Sequence, residues 1–132
     1  MSNEPLLFAS KLARAYFDPE QGYQVRGLCQ ELGVQPAGFA RLTHRSTESV
    51  SKLFKRKFVK PKSPKTEKII QQMWQILTIF RSMGWQKDDI GGWMHAPLAT
   101  HDGRTPLDLI ASGKGQALID ELVDLATGNI GS

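Results

Sequence analysis

Residues 36–56 read PAGFARLTHRSTESVSKLFKR, and this stretch has the register of two short helices crossing at a tight turn. Pro36 suits the first turn of a helix running to about Thr43. Ser46 can cap a second helix over Thr47 to Lys55 by accepting an exposed backbone N–H, with Glu48 in the first turn against the positive end of the helix dipole. Two helices that cross closely need a small residue where the first packs on the second, and apolar residues near the middle and end of the second. Ala40 supplies the first; Val50, ten positions later, and Leu53 supply the others, with Phe39 and Leu42 adding core. The stretch is therefore expected to form a helix-turn-helix. Its departure lies at the turn, where His44 stands at the usual glycine position and Arg45 at a position that is usually apolar. An ordinary helical hairpin with a charged face is the competing arrangement.

In a DNA-binding register the start of the second helix presents Arg45, Ser46, Thr47, Glu48, Ser49 and Lys52 to the major groove. Arg45 and Lys52 can donate to guanine, Glu48 can accept from cytosine, and the hydroxyls can serve bases or phosphates. Lys55, Arg56, Lys57, Lys60 and Lys62 are expected to meet phosphates, giving affinity and salt dependence without sequence information.

The charge distribution points the same way. The chain of 132 residues carries a formal +4, but residues 41–68 hold ten cations against two carboxylates, a balance of +8, whereas residues 1–40 stand at −1 and residues 69–132 at −3. A basic block between neutral and acidic flanks is the footprint of a polyanion-binding surface, or else of a solvated lysine-rich linker.

Elsewhere helical signals dominate, and no segment sustains the alternation of a half-buried strand, so the expected class is all-α. A helix from Pro5 to about Tyr16 is broken by Asp18-Pro19-Glu20-Gln21-Gly22. A second, from about Gln24 to Leu32, turns Val25, Leu28, Cys29 and Leu32 inward and ends at Gly33. Residues 57–64, with two prolines, suggest a linker. Ser63 and Pro64 then start a long helix to about Met83, whose broad stripe of Ile69, Ile70, Met73, Trp74, Ile76, Leu77, Phe80 and Met83 implies packing on more than one side. A short helix near Asp88 to Met94, a Thr105-Pro106-Leu107-Asp108 helix start, and a final helix from about Gly115 to Thr127 follow. That last helix is expected to bury Leu118, Leu122, Val123, Leu125 and Ala126 and to end at Gly128. Two modules are expected, residues 1–62 carrying the helix-turn-helix and residues 63–132 forming a small helical domain.

Trp93-Met94-His95-Ala96-Pro97, then Asp102-Gly103-Arg104-Thr105-Pro106-Leu107-Asp108-Leu109-Ile110, then Ser112-Gly113 and a helix ending at Gly128, resemble the C-terminal toxin-binding domain of Xre/MbcA/ParS-type antitoxins. The upstream order of helix-turn-helix, basic linker and long helix is similar to that family's layout, so the resemblance spans about residues 36–128. It implies an antitoxin of a RES-Xre toxin–antitoxin system that neutralises a RES-domain, NAD-consuming toxin and represses its own operon. It also implies toxin contacts from Trp93, Pro97, Gly103, Arg104, Pro106, Asp108, Gly128, Asn129 and Ile130. Each has a plain structural alternative: Trp93 as core, Pro97 as helix stop, residues 105–108 as cap, Gly128 as C-terminal glycine.

No catalytic constellation is expected. His44, His95 and His101 lack metal-ligand spacing, Asp88-Asp89 suits a helix start, and there is neither a nucleophile arrangement nor a phosphate-cradling glycine loop. The single Cys29 cannot form an internal disulfide. No apolar run is long enough to span a membrane, and the start MSNEPLLFASKLAR carries acid where a secretory signal is basic, so a cytoplasmic protein without cofactor is expected. The partners anticipated are double-stranded operator DNA, the cognate toxin and a second copy of the chain, since repressors of this kind read paired half-sites. The alternative is a stand-alone transcriptional or partition-type regulator whose carboxy-terminal half serves oligomerisation.

Overall fold

A computed structural model describes residues 14–128 of the chain, and it is built almost wholly of helices. Most of the helix expected from Pro5 lies outside these residues; residues 14–16, its last turn, are helical. The helices are α1 (Val25–Leu32), α2 (Pro36–Thr43), α3 (Thr47–Phe54), α4 (Pro64–Ser82), α5 (Lys87–Met94), α6 (Pro106–Ala111) and α7 (Gly115–Thr127), with a single 3₁₀ turn at Ala99–His101. Their starts follow the cap chemistry of the sequence. Ser46 Oγ accepts from the Ser49 N–H at 3.1 Å, and Thr105 and Asp108 satisfy each other's backbone N–H groups at 3.1 and 3.3 Å.

The two short helices α2 and α3 form in the expected register, joined by a tight turn. Phe39, Ala40, Leu42, Val50 and Leu53 are all buried between α2 and α3. His44 takes the left-handed backbone of the missing glycine, with φ 54° and ψ 40°, and Arg45 N–H closes the turn on the Ala40 carbonyl at 2.9 Å. A side chain there costs roughly 1 kcal/mol. His44→Gly is therefore expected to stabilise the fold by about that amount, read as a higher midpoint in urea.

One element departs from the all-helical expectation. Phe17–Asp18 (β1) and Gly22–Tyr23 (β2) pair antiparallel with Phe17 opposite Tyr23, and the Asp18-to-Gly22 breaker is the turn of this hairpin. Asp18 Oδ1 accepts from the N–H groups of Glu20 and Gln21 at 2.7 and 2.9 Å, the local bonding that makes aspartate a turn residue. Two-residue strands are too short to show a period in the sequence.

The segment at residues 57–64 is also not a free linker. Val59 is buried and exchanges two backbone hydrogen bonds with Tyr23, both 2.8 Å. Gly22 permits the approach: at φ 103°, a Cβ there would lie 2.1 Å from the Val59 carbonyl oxygen. The basic block is thus pinned to the body of the protein at Val59.

The long helix α4 is the hub. It packs on α1 along one side and on α7 along another, burying Ile69, Ile70, Met73, Ile76, Leu77 and Phe80, which accounts for its broad apolar stripe. A single hydrophobic core runs from Tyr23 to Leu122 without a break at residue 62. An ion pair crosses that boundary as well: Arg81 Nη2 lies 2.9 Å from Glu31 Oε2, and the Tyr16 hydroxyl donates to the other oxygen of Glu31 at 3.2 Å. The expected modules therefore share one core: α1 packs on α4 and α5 as well as on α3. The helices α1 and α5 come close where Gly33 faces Gly91; a Cβ on Gly33 would sit 3.1 Å from the Gly91 Cα.

Cys29 faces this core, and burial pushes its thiol up to about 12. The thiolate, the nucleophilic form, is then scarce at any ordinary pH. The native protein is expected to resist iodoacetamide at pH 8 and to react promptly once unfolded, as mass spectrometry would show.

The last helix corrects another expectation. Leu118 and Leu122 are buried, joined by Ile119, but Val123 and Leu125 are 42% and 49% exposed and Ala126 is also exposed. Leu118, Ile119 and Leu122 already complete the stripe that meets α4. Val123 and Leu125 flank it, and the final turn continues past the residues that cover it.

Candidate functional site

The basic surface is assembled on α3. Val50 and Leu53 hold the inner side of this helix in the core, which turns Thr47, Glu48, Ser51, Lys52, Lys55 and Arg56 to solvent. On one flank Arg45, Ser46, Glu48, Ser49, Lys52 and Arg56 join Lys60 and Lys62 in an open groove with a volume of about 570 Å³. Lys60 and Lys62 reach it because the Val59–Tyr23 pairing folds the segment back beside the helix. Thr47 and Lys55 fall on the opposite flank. Lys57 lines neither side; its ammonium lies 5.9 Å from the Phe58 ring centroid, within cation–π range.

Two members of the group are partly engaged within the protein. Arg45 Nη1 donates to Ser49 Oγ at 2.8 Å, a bond that holds the guanidinium along the helix. Ser46 Oγ is taken up by the cap. Lys52, Lys55, Arg56, Lys60 and Lys62 are exposed or partly so and form no ion pair among the described residues. The cations of this face thus have no internal counter-charge beyond Glu48, and a polyanion would supply it.

The residues to which the resemblance assigns toxin contact are distributed differently. Trp93 is half-buried, edge-on to Phe80 with centroids 4.8 Å apart. It lines an open cleft with Trp85, Asp88, Asp89, Gly92 and Ala96, in which nothing stands within 4 Å of the place a Gly92 Cβ would occupy. Pro97 and Gly103 are exposed in the loop before α6, Gly103 at φ 78°. Arg104 Nη2 donates to Ser112 Oγ at 2.7 Å and its backbone pairs with Leu98, so it ties this loop to the end of α6. Pro106 is buried as the first residue of α6, and Asp108 closes the cap. Gly128 ends α7 in the left-handed conformation. Asn129 and Ile130 lie outside the described residues.

Sequence reasoning missed the cleft residues Trp85, Asp88 and Gly92 and the exposed pair Val123 and Leu125. Counting the positions on α7 that complete one stripe would have found the pair; only the packing of α5 on α4 reveals the cleft. Two histidines have structural roles: His95 Nε2 donates to the Gly33 carbonyl at 2.8 Å, and His101 Nε2 meets Glu121 Oε1 at 2.8 Å, tying the 3₁₀ turn to α7. Among the described residues, no helix is long and apolar enough to cross a membrane.

These features define a helical protein with a basic face on α3 and an acidic, partly apolar carboxy-terminal half. No protein-family model matches the chain, and no curated protein matches it. Among solved structures, a chain in the crystal structure of the M. tuberculosis MbcT–MbcA toxin–antitoxin complex has a similar fold. The TM-score is 0.62 at 20% sequence identity, over 80% of this chain and 92% of that one.

Proposed function

We propose that this protein is an antitoxin that holds a cognate toxin through its carboxy-terminal half and binds double-stranded DNA through α3, so repressing its own operon. The observation that carries the reading is the likeness of fold, across four-fifths of the chain, to a chain from a toxin–antitoxin complex. The motifs from Trp93 to Gly128 make a RES-domain, NAD-consuming enzyme the expected toxin. The reaction then belongs to the toxin, and this chain acts as a cofactor-free binding protein in the cytoplasm. In this proposal the division near residue 62 is one of roles: residues 1–62 face DNA as half of a homodimer, and residues 63–132 face the toxin. The toxin contact would combine the Trp93 cleft, the Pro97 and Gly103 loop with Arg104, and the last turn of α7 with Asn129 and Ile130 after it. Val123 and Leu125 are the large hydrophobic side chains that the described surface exposes, and exposed apolar side chains at the end of an element suit a partner interface.

Co-expression with the product of the adjacent reading frame tests the proposal. Relief of growth arrest and co-purification are expected. A variant carrying Val123→Asp and Leu125→Asp should keep its melting temperature, since both sites are exposed, and lose at least tenfold in toxin affinity, as about 1.4 kcal/mol of apolar contact implies. No relief by the wild type, with DNA binding retained, would favour the stand-alone regulator.

A further inference from the structure

The basic block does not hold all the cations around α3. On the flank opposite Lys52 and Arg56, a second groove has in its lining Thr47 and Ser51 of α3, Lys55 just after it, Arg26 of α1 and Lys87 of α5, above a floor that includes Val34 and Phe54. Arg26 and Lys87 come from segments whose own charge balance is negative, 61 residues apart in the chain. They meet here because α1 packs on α5 at the Gly33–Gly91 contact. No carboxylate lines this groove, and among the described residues Arg26, Lys55 and Lys87 are in no ion pair. All three are exposed, as are the hydroxyl-bearing Thr47 and Ser51 between them.

We infer that this groove is a second phosphate-binding wall, and that Arg26 and Lys87 contact the DNA strand opposite the one met by Lys52, Arg56, Lys60 and Lys62. The inference rests on the DNA-binding reading and extends it to residues outside the basic block. An α-helix in the major groove has a sugar–phosphate backbone on each side of it, about 12 Å apart. A helix with cations on one flank only would meet one strand. Here the exposed ridge of α3 has a cationic wall on each side, a charge pattern that complements both strands. Phosphate contacts of this kind position the helix without reading bases, so Arg26 and Lys87 set affinity and register.

The test is a salt titration of the full chain with a fluorescent duplex of about 20 base pairs, two helical turns. Each lost phosphate contact lowers the slope of log K against log salt by about 0.9. Arg26→Ala and Lys87→Ala are each expected to reduce the slope by that amount and the double variant by about twice as much, with unchanged melting temperatures. Lys114→Ala, at the start of α7 and outside both grooves, should leave the slope as it is. If the wild type binds and the double variant keeps the wild-type slope, the second wall is wrong while the helix-turn-helix reading stands. If the wild type shows no salt-dependent duplex binding, the DNA-binding reading fails and the wall with it. Equal slope losses on single-stranded DNA of the same sequence would overturn the two-strand assignment, since that substrate has no opposite strand.

Discussion

Replacing Lys52 and Arg56 together by glutamate is expected to lower duplex DNA affinity by roughly 100-fold or more at moderate salt. Both side chains are exposed on the same flank of α3, beside Lys60 and Lys62. The substitution removes two positive charges from that wall and adds two negative ones facing the phosphates, so attraction turns to repulsion. The fold should tolerate the change, because Val50 and Leu53 rather than Lys52 and Arg56 anchor the helix. The cost of an acid near the end of α3 is a few tenths of a kcal/mol. Fluorescence anisotropy against salt, with a melting curve for each protein, checks both halves of the expectation. Binding that survives the double charge reversal would remove α3 from the interface.

Phe80→Ala is expected to cost about 3–5 kcal/mol of stability, a large share of the 5–15 kcal/mol typical of a domain. Phe80 is fully buried near the end of α4. Its ring lies 4.4 Å from that of Trp85 and 4.8 Å from that of Trp93, separations at which aromatic pairs add to area burial. Truncation leaves a cavity beneath both indoles, and neither can collapse into it without moving α5. Urea unfolding should show a lower midpoint with little change in slope, and Phe80→Leu should recover about half the loss. A cost below about 1 kcal/mol would mean that α5 repacks freely. In the antitoxin reading the same variant weakens toxin capture, because the two indoles line the Trp93 cleft.

Local sequence chemistry specified the helices closely. Pro36, Ser46, Ser63, Pro64, Thr105 and Gly128 mark helix ends through bonds and dihedrals within four residues of themselves, and the structure places each at its expected helix end. The pair of crossing helices was legible too, since Val50 and Leu53 lie one helical turn apart on α3 and Ala40 is the small residue ten positions before Val50 on α2. Even its anomaly was legible, because His44 adopts the backbone of the glycine it replaces. The candidate DNA surface was legible in composition but not in its grouping. Lys57 turns aside towards Phe58, and Thr47 and Lys55 separate from Arg45, Lys52 and Arg56.

Residues 36–56 carry their own fold and their own charge, because helix periodicity, capping and net charge are properties of neighbours along the chain. What is built from partners distant along the chain had to come from packing. Val59 bridges to Tyr23 only because Gly22 lets the two backbones approach, so the basic segment lies against the body rather than trailing as a linker. The parts on either side of residue 62 share one core because α4 covers both. Arg26 and Lys87, each in a segment with a negative balance, join the basic face because two glycines let α1 and α5 touch. In each case the deciding contact has low cost in local conformation and forms only when long loops close, and such pairings leave no periodic trace in the order of residues.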